Sequence, residues 1–155
     1  MRNRAITAVA CAVTCGVAWL VDSPSYAAEY VKGTWQEDRS FSPAVVTQGG
    51  NIIWLAGSGG TRGPGGELIT DFDQQVHQTF RNLEATLERA GGTLQDIVTM
   101  TVFIGDVRHG DEFVRLRAEY FEDGYPGSAL ITVAGFATPE LLVEIQAIAV
   151  VGETN

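Results

Sequence analysis

The chain has 155 residues, ten of them basic and nineteen acidic, for a formal net charge of −9 at neutral pH. A surface this acidic repels phosphate backbones, and no basic stripe interleaved with aromatic residues runs along the chain, which excludes nucleic acid as a partner. The length suits one domain once the N-terminal segment is set aside: about 128 residues, enough to bury roughly two-thirds of the unfolded surface.

Arg2 and Arg4 precede an apolar run from Ala5 to Val21, and Ser25-Tyr26-Ala27 then supplies a small-x-small cleavage pattern. This order predicts a signal peptide over residues 1–27, a single domain over 28–155, and a periplasmic or secreted address. About 17 apolar residues lie at the short edge of a membrane span, so an uncleaved anchor helix is the alternative. After cleavage no membrane partner is expected. Cys11 and Cys15 both fall in the signal, and Thr14 before Cys15 does not give a lipoprotein context. Removing the segment deletes Arg2, Arg4 and Asp22, so the basic and acidic totals become eight and eighteen and the net charge about −10. The remaining chain has no cysteine, which excludes disulfides, a thiol nucleophile and a Cys-based zinc site.

Tyr30 to Trp35 alternates weakly and reads as a strand. Ala44–Thr47 and Ile52–Leu55 make a clearer pair around Gly49-Gly50, which predicts a hairpin. The segment from Gly57 to Gly66 is a loop by composition. Its glycines do not follow the G-x-G-x-x-G spacing and no Lys-Ser/Thr ending makes a P-loop, so it is a turned connection rather than a phosphate cradle. Nor does Gly57-Ser58-Gly59 complete the G-x-S-x-G frame of a nucleophile elbow.

From Asp73 to Ala90 the apolar residues Val76, Phe80, Leu83 and Leu87 recur at helical spacing, with Asp71 or Asp73 as N-cap and Gly91-Gly92 as the stop. Ile97–Ile104 reads as a strand, Asp111–Phe121 as a second helix carrying Phe113, Leu116 and Tyr120, and Ala129–Val133 and Leu142–Val151 as the last strands. Two strand–helix–strand halves predict an α+β fold, a sheet with two helices on one face. His77 lies off the main helical stripe and His109 follows Arg108 in a loop. Neither makes a metal-ligand spacing, so no metal or other cofactor is expected.

The last strand is apolar on both alternating sets, although helices can cover only one face of the sheet. The other face then needs cover, and in a chain with two helices that cover is another copy of the chain. A single carboxylate, Glu144, interrupts this run. An ionised carboxylate is costly to bury, so Glu144 either sits on a solvated face or is kept for a purpose.

Pro126-Gly-Ser-Ala-Leu-Ile-Thr-Val-Ala-Gly-Phe136, followed by Leu141-Leu-Val-Glu-Ile-Gln-Ala-Ile-Ala-Val150, resembles the C-terminal signature of the YjgF/RidA family (YER057c type, endoribonuclease L-PSP-like). Ser40-Phe-Ser-Pro-Ala-Val45 is similar to the family's Tyr-Ser-x-Ala-Val segment, Leu55-Ala-Gly-Ser58 to a strand end, and Asn82-Leu83-x-x-x-Leu87 to its first helix. Ala90-Gly-Gly-Thr-Leu-Gln-Asp-Ile-Val98 through Thr101-Val-Phe-Ile104 is similar to its helix stop and central strand. The order and spacing of these pieces carry the resemblance across nearly the whole chain after residue 27. It implies a chorismate-mutase-like fold with a mixed sheet, a homotrimer, and small-molecule pockets between subunits. The best-known members hydrolyse reactive enamines and imines. The endoribonuclease label is set aside on the charge argument.

In the deaminase branch an Arg opening the Pro-x-Arg strand holds the substrate carboxylate, a Glu on the last strand positions the attacking water, and a Tyr from the N-terminal motif closes the pocket. By position these become Ser128, Glu144 and Phe41. Glu144 is retained, Phe41 keeps the ring without the hydroxyl, and Ser128 has no charge. A charge-assisted bidentate contact contributes about 1.5–3 kcal/mol, so loss of the Arg implies roughly tenfold to a hundredfold weaker binding of a 2-imino acid. Arg62 in the Gly-rich loop and Arg39 before Phe41 are the nearest replacement cations by motif, with a solvated surface Arg as the other reading of each. The resemblance therefore implies deamination of 2-imino acids in weakened or altered form. The alternatives are a non-catalytic exported trimer that binds a small molecule, and a structural trimer without a pocket function.

Overall fold

The computed structural model describes residues 28–121 and 124–152. The predicted signal peptide lies outside them. Strands β1 (Glu29–Tyr30) and β2 (Val45–Val46) pair antiparallel beside a one-turn helix α1 (Trp35–Asp38). The main sheet contains β3 (Asn51–Trp54), β4 (Ser58–Gly59), β5 (Ile97–Ile104), β6 (Gly127–Thr132) and β7 (Val143–Val151), with two longer helices, α2 (Phe72–Arg89) and α3 (Gly110–Arg117). Its order is β3-β7-β5-β6, and β4 also pairs with β7. The β5–β6 pair is parallel and the others are antiparallel, so the sheet is mixed.

The helices form where the apolar period predicts. Asp71 caps α2 by accepting from the Gln74 N–H at 3.0 Å, which leaves Asp73 in the first turn. At the other end the Gly92 N–H reaches the Leu87 carbonyl at 2.9 Å, and Gly91 takes a φ of +83°, a conformation that a side chain would strain. Val76, Phe80, Leu83 and Leu87 face the sheet and are buried. They meet Phe113 and Leu116 of α3 and the inward residues of β5 and β7: Met100, Val102, Ile104, Val143, Ile145 and Ala147. Phe80 stacks on Tyr120 with ring centroids 4.0 Å apart. Both helices lie on one face of the sheet, as expected.

Three sequence expectations are corrected. Val45–Val46 do not form a hairpin with Ile52–Leu55: β2 pairs with β1, whereas Ile52 lies opposite Val150 of the long C-terminal strand. Alternation identifies a strand's faces but not its partner. The strand expected over Tyr30–Trp35 stops at Tyr30, because Trp35 begins a helical turn and the Thr34 N–H is taken by the Gln36 side chain at 3.1 Å. The Gly57–Gly66 segment is more ordered than a loop. It contains β4, and Arg62 bridges antiparallel to Leu68 around a tight turn.

Alternation along β5 and β7 divides the sheet into two faces. The helix-covered face is the core. The opposite face presents Thr101 and Phe103 from β5 and Glu144, Gln146 and Ile148 from β7, with Trp54 directly opposite Ile148 and Ile131 directly opposite Phe103. Trp54 is 74% exposed, Ile52 55% and Ile131 43%, so this face is both apolar and open in the single chain.

Candidate functional site

Ser128 lies at the start of β6, directly opposite the buried Met100, so its side chain points toward the helix layer. There its Oγ accepts a hydrogen bond at 2.6 Å from Nη1 of Arg117, on the last turn of α3. Nη2 of the same guanidinium donates to the Arg39 carbonyl at 2.6 Å. Arg117 is 2% exposed, its Nε is buried without a partner, and no carboxylate contacts it among the described residues. Burial, followed by repulsion from Arg39, pulls its pKa down to about 10, so it remains cationic at neutral pH.

Phe41 approaches this corner through the backbone. The Ser42 N–H donates to the Pro126 carbonyl at 3.2 Å, and Ser42 bridges in parallel to Gly127. The link bends at Ser40, whose φ of +57° is the one positive value at a non-glycine position among the described residues. A serine there carries local strain. Phe41 packs edge-on against Trp35 at 5.5 Å, and the Arg39 side chain is paired with Asp111. The N-terminal motif and the Pro126–Ser128 motif are thus joined, with Arg117 as the link.

Glu144 is elsewhere. It lies opposite Phe103 on β7, between the fully buried Val143 and Ile145, so it points to the face away from Ser128. It is half-buried there, and Gly57 lies against it: a β-carbon on residue 57 would sit 2.1 Å from Oε1. The glycine is what permits this close approach. Arg62 contacts neither group in the single chain. Its Nη1 donates to the Gly66 carbonyl at 3.4 Å within its own turn. Ser128 and Phe41 therefore share a corner, while Glu144 and Arg62 lie apart from it.

The sequence reading missed Arg117. It stands four residues after Phe113 on the buried stripe of α3, and its guanidinium lies 5.4 Å from the Phe113 ring. A cation at a core position of the helical period was the available signal. A cavity of about 460 Å³ also opens at the end of the sheet between Gly105, His109, Phe136 and Leu142. A smaller one, about 180 Å³, lies beside Trp54, Thr101 and Gln146 on the open face. Among the described residues no group of three or more His, Cys, Asp or Glu side chains is placed to hold a metal ion. No described helix is long and apolar enough to cross a membrane.

The endoribonuclease L-PSP family model matches residues 36–151. A RutC family protein of Aquifex aeolicus (strain VF5) is 33% identical over 111 residues, covering 71% of this chain and 87% of its own length. A protein named 2-iminobutanoate/2-iminopropanoate deaminase, from Dermatophagoides farinae, is 28% identical over 112 residues, 72% of this chain and 85% of its own. Among solved structures, the Rid-family protein YyfB from Yersinia pestis superposes with a TM-score of 0.72 at 25% identity, over 80% of this chain and 98% of that one. Matched over most of its length by the family and by relatives of similar size, the chain belongs to the endoribonuclease L-PSP family, which is the YjgF/RidA family its C-terminal signature resembles.

Proposed function

We propose that the chain is an exported homotrimeric hydrolase of small imines or enamines, with Glu144 orienting the attacking water. Water adds to the imine carbon while the nitrogen takes a proton. The carbon–nitrogen bond then breaks, leaving a carbonyl compound and ammonia. The observation that carries the reading is the placement of Glu144: a half-buried carboxylate on the uncovered apolar face, with Gly57 leaving its oxygen room. A relative of this chain is named for such a deamination.

Ser128 and Glu144 point to opposite faces of one sheet, so a small molecule can touch both only in a pocket made by two copies. Trp54, Ile52 and Ile131 supply the apolar surface such copies would bury. Arg117 places a positive charge behind Ser128, but the guanidinium is buried, with its Nη atoms turned to Ser128 and to the Arg39 carbonyl. Binding of a 2-imino acid carboxylate is therefore weaker than with an arginine at residue 128 itself.

That same burial favours a second reading, a trimer that binds a small molecule without turning it over. The test generates 2-iminobutanoate with an amino acid oxidase and follows keto acid release with wild type and Glu144→Gln. Loss of turnover in the variant, with the trimer intact by light scattering, supports the hydrolase. An inactive wild type with intact trimers transfers the assignment to the binding reading.

A further inference from the structure

The cavity of about 460 Å³ at the end of the sheet is built around a histidine that the reading above leaves unused. His109 stacks on Phe72 with ring centroids 4.0 Å apart and planes 9° from parallel, and its Nδ1 is 2.9 Å from Glu112 Oε2. The ring is thereby fixed in plane and in rotation. With Nδ1 committed, Nε2 is the nitrogen left to the cleft.

The opposite wall is anchored. Gln75, wholly buried in α2, donates from Nε2 to the Ile69 and Glu140 carbonyls at 2.8 and 2.7 Å, and its Oε1 accepts from the Leu142 N–H at 2.9 Å. The Gly105 N–H donates to the Leu142 carbonyl at 3.1 Å, tying that wall to the end of β5. Phe136 and Leu142 give the cleft an apolar side, and Thr138 adds a hydroxyl.

The charges around the ring come from three elements. On α3, Glu112 is held below the usual carboxylate range by His109 first and then by Asp73. From α2, Asp73 faces Glu112 with an otherwise unpartnered buried oxygen, and burial and that contact push its pKa up. Arg115 and His77 act on Asp73 in the opposite direction. In the turn before α3, Asp106 is neutralised by Arg108, whose Nε donates to both carboxylate oxygens at 3.0 and 2.8 Å. Asp73 is thus biased toward its acid form and Glu112 toward its anion, the form that accepts at His109 Nδ1.

We propose that this cleft binds small carboxylic acids with a short apolar tail, the carboxylate accepting from His109 Nε2–H and the tail lying against Phe136 and Leu142. The proposal is independent of hydrolysis at Glu144. A cavity of this size, mostly apolar with a few fixed polar groups, suits such a ligand.

The test uses 3-methylbutanoate as probe and its neutral amide as control, with the uniformly ¹⁵N-labelled full chain. The chain has two histidines, so loss of one imidazole signal in His109→Gln assigns the other to His77. The acid is expected to shift the His109 Nε2 resonance and leave His77 in place. The amide should bind at least tenfold more weakly than the acid, and His109→Gln should lose the preference for the acid. Should that variant fold poorly, Phe136→Ala offers a second measurement, in which the advantage of 3-methylbutanoate over acetate disappears. Equal binding of acid and amide, an unmoved His109 signal at millimolar acid, or an unchanged acetate comparison in Phe136→Ala would each overturn the proposal.

Discussion

Arg117 reaches Ser128 from the helix layer, with Nη1 2.6 Å from the serine hydroxyl, so a buried guanidinium already stands behind this position of β6. This sets the expected outcome of placing a second arginine at residue 128.

Ser128→Arg is expected to destabilise the chain, because it places a second guanidinium against the first in a buried corner. Ser128→Ala instead leaves Nη1 without its acceptor, at a cost of about 1–3 kcal/mol. Thermal melts of the two variants check both. Ser128→Arg melting at or above the wild-type temperature would mean that Arg117 can swing out of the corner.

Gly57→Ala should displace the Glu144 carboxylate, since the new β-carbon would fall 2.1 Å from Oε1. The expected result is a fall in imine turnover of about tenfold to a hundredfold, with little change in the overall fold, the size of effect that misplacement of about 1 Å produces. Steady-state kinetics beside circular dichroism separate this from simple unfolding.

Trp54→Glu introduces a charge on the open face at its most exposed apolar side chain. If copies of the chain cover that face, the variant should shift toward monomer by at least tenfold in association constant while keeping its secondary structure. Light scattering over a concentration series measures the shift.

Asp73→Asn should change the pH dependence of stability. Asp73 has a folded pKa raised by burial and by Glu112, so the folded state holds a proton that the unfolded state releases. Its contribution is therefore present at low pH and is lost as pH rises through the raised value. The asparagine variant should gain on the wild type as pH goes from about 4 to 7, by a few degrees at most for so exposed a pair. Parallel melts at the two pH values decide it, and an unchanged difference would remove Asp73 from the network around His109.

Much of the fold was legible because the helices carry their own period: Val76, Phe80, Leu83 and Leu87 name the buried face of α2 without reference to anything distant. Strand partners were not, since nothing in Ile52–Trp54 points to residues near 150 rather than to the nearer Val45–Val46. For the candidate site, motif position singled out Ser128, Phe41 and Glu144 as candidates, but the faces they point to depend on the turn between β6 and β7, whose length hides the parity of Ser128 relative to Glu144. Arg117 was passed over because its charge disguises a core position, and His109 because its partners Glu112 and Phe72 come together only when α2 and α3 pack.

Strand β7 is the last of the described strands to be made, and it lies between β5 on one side and β3 with β4 on the other. The sheet therefore has no centre until synthesis reaches Val151: a chain cut before Val143 loses the middle of the sheet and leaves β3 and β5 without a common partner. Folding on the ribosome should stop short of any closed intermediate, since Asn51 must find Val151 across nearly the whole described sequence.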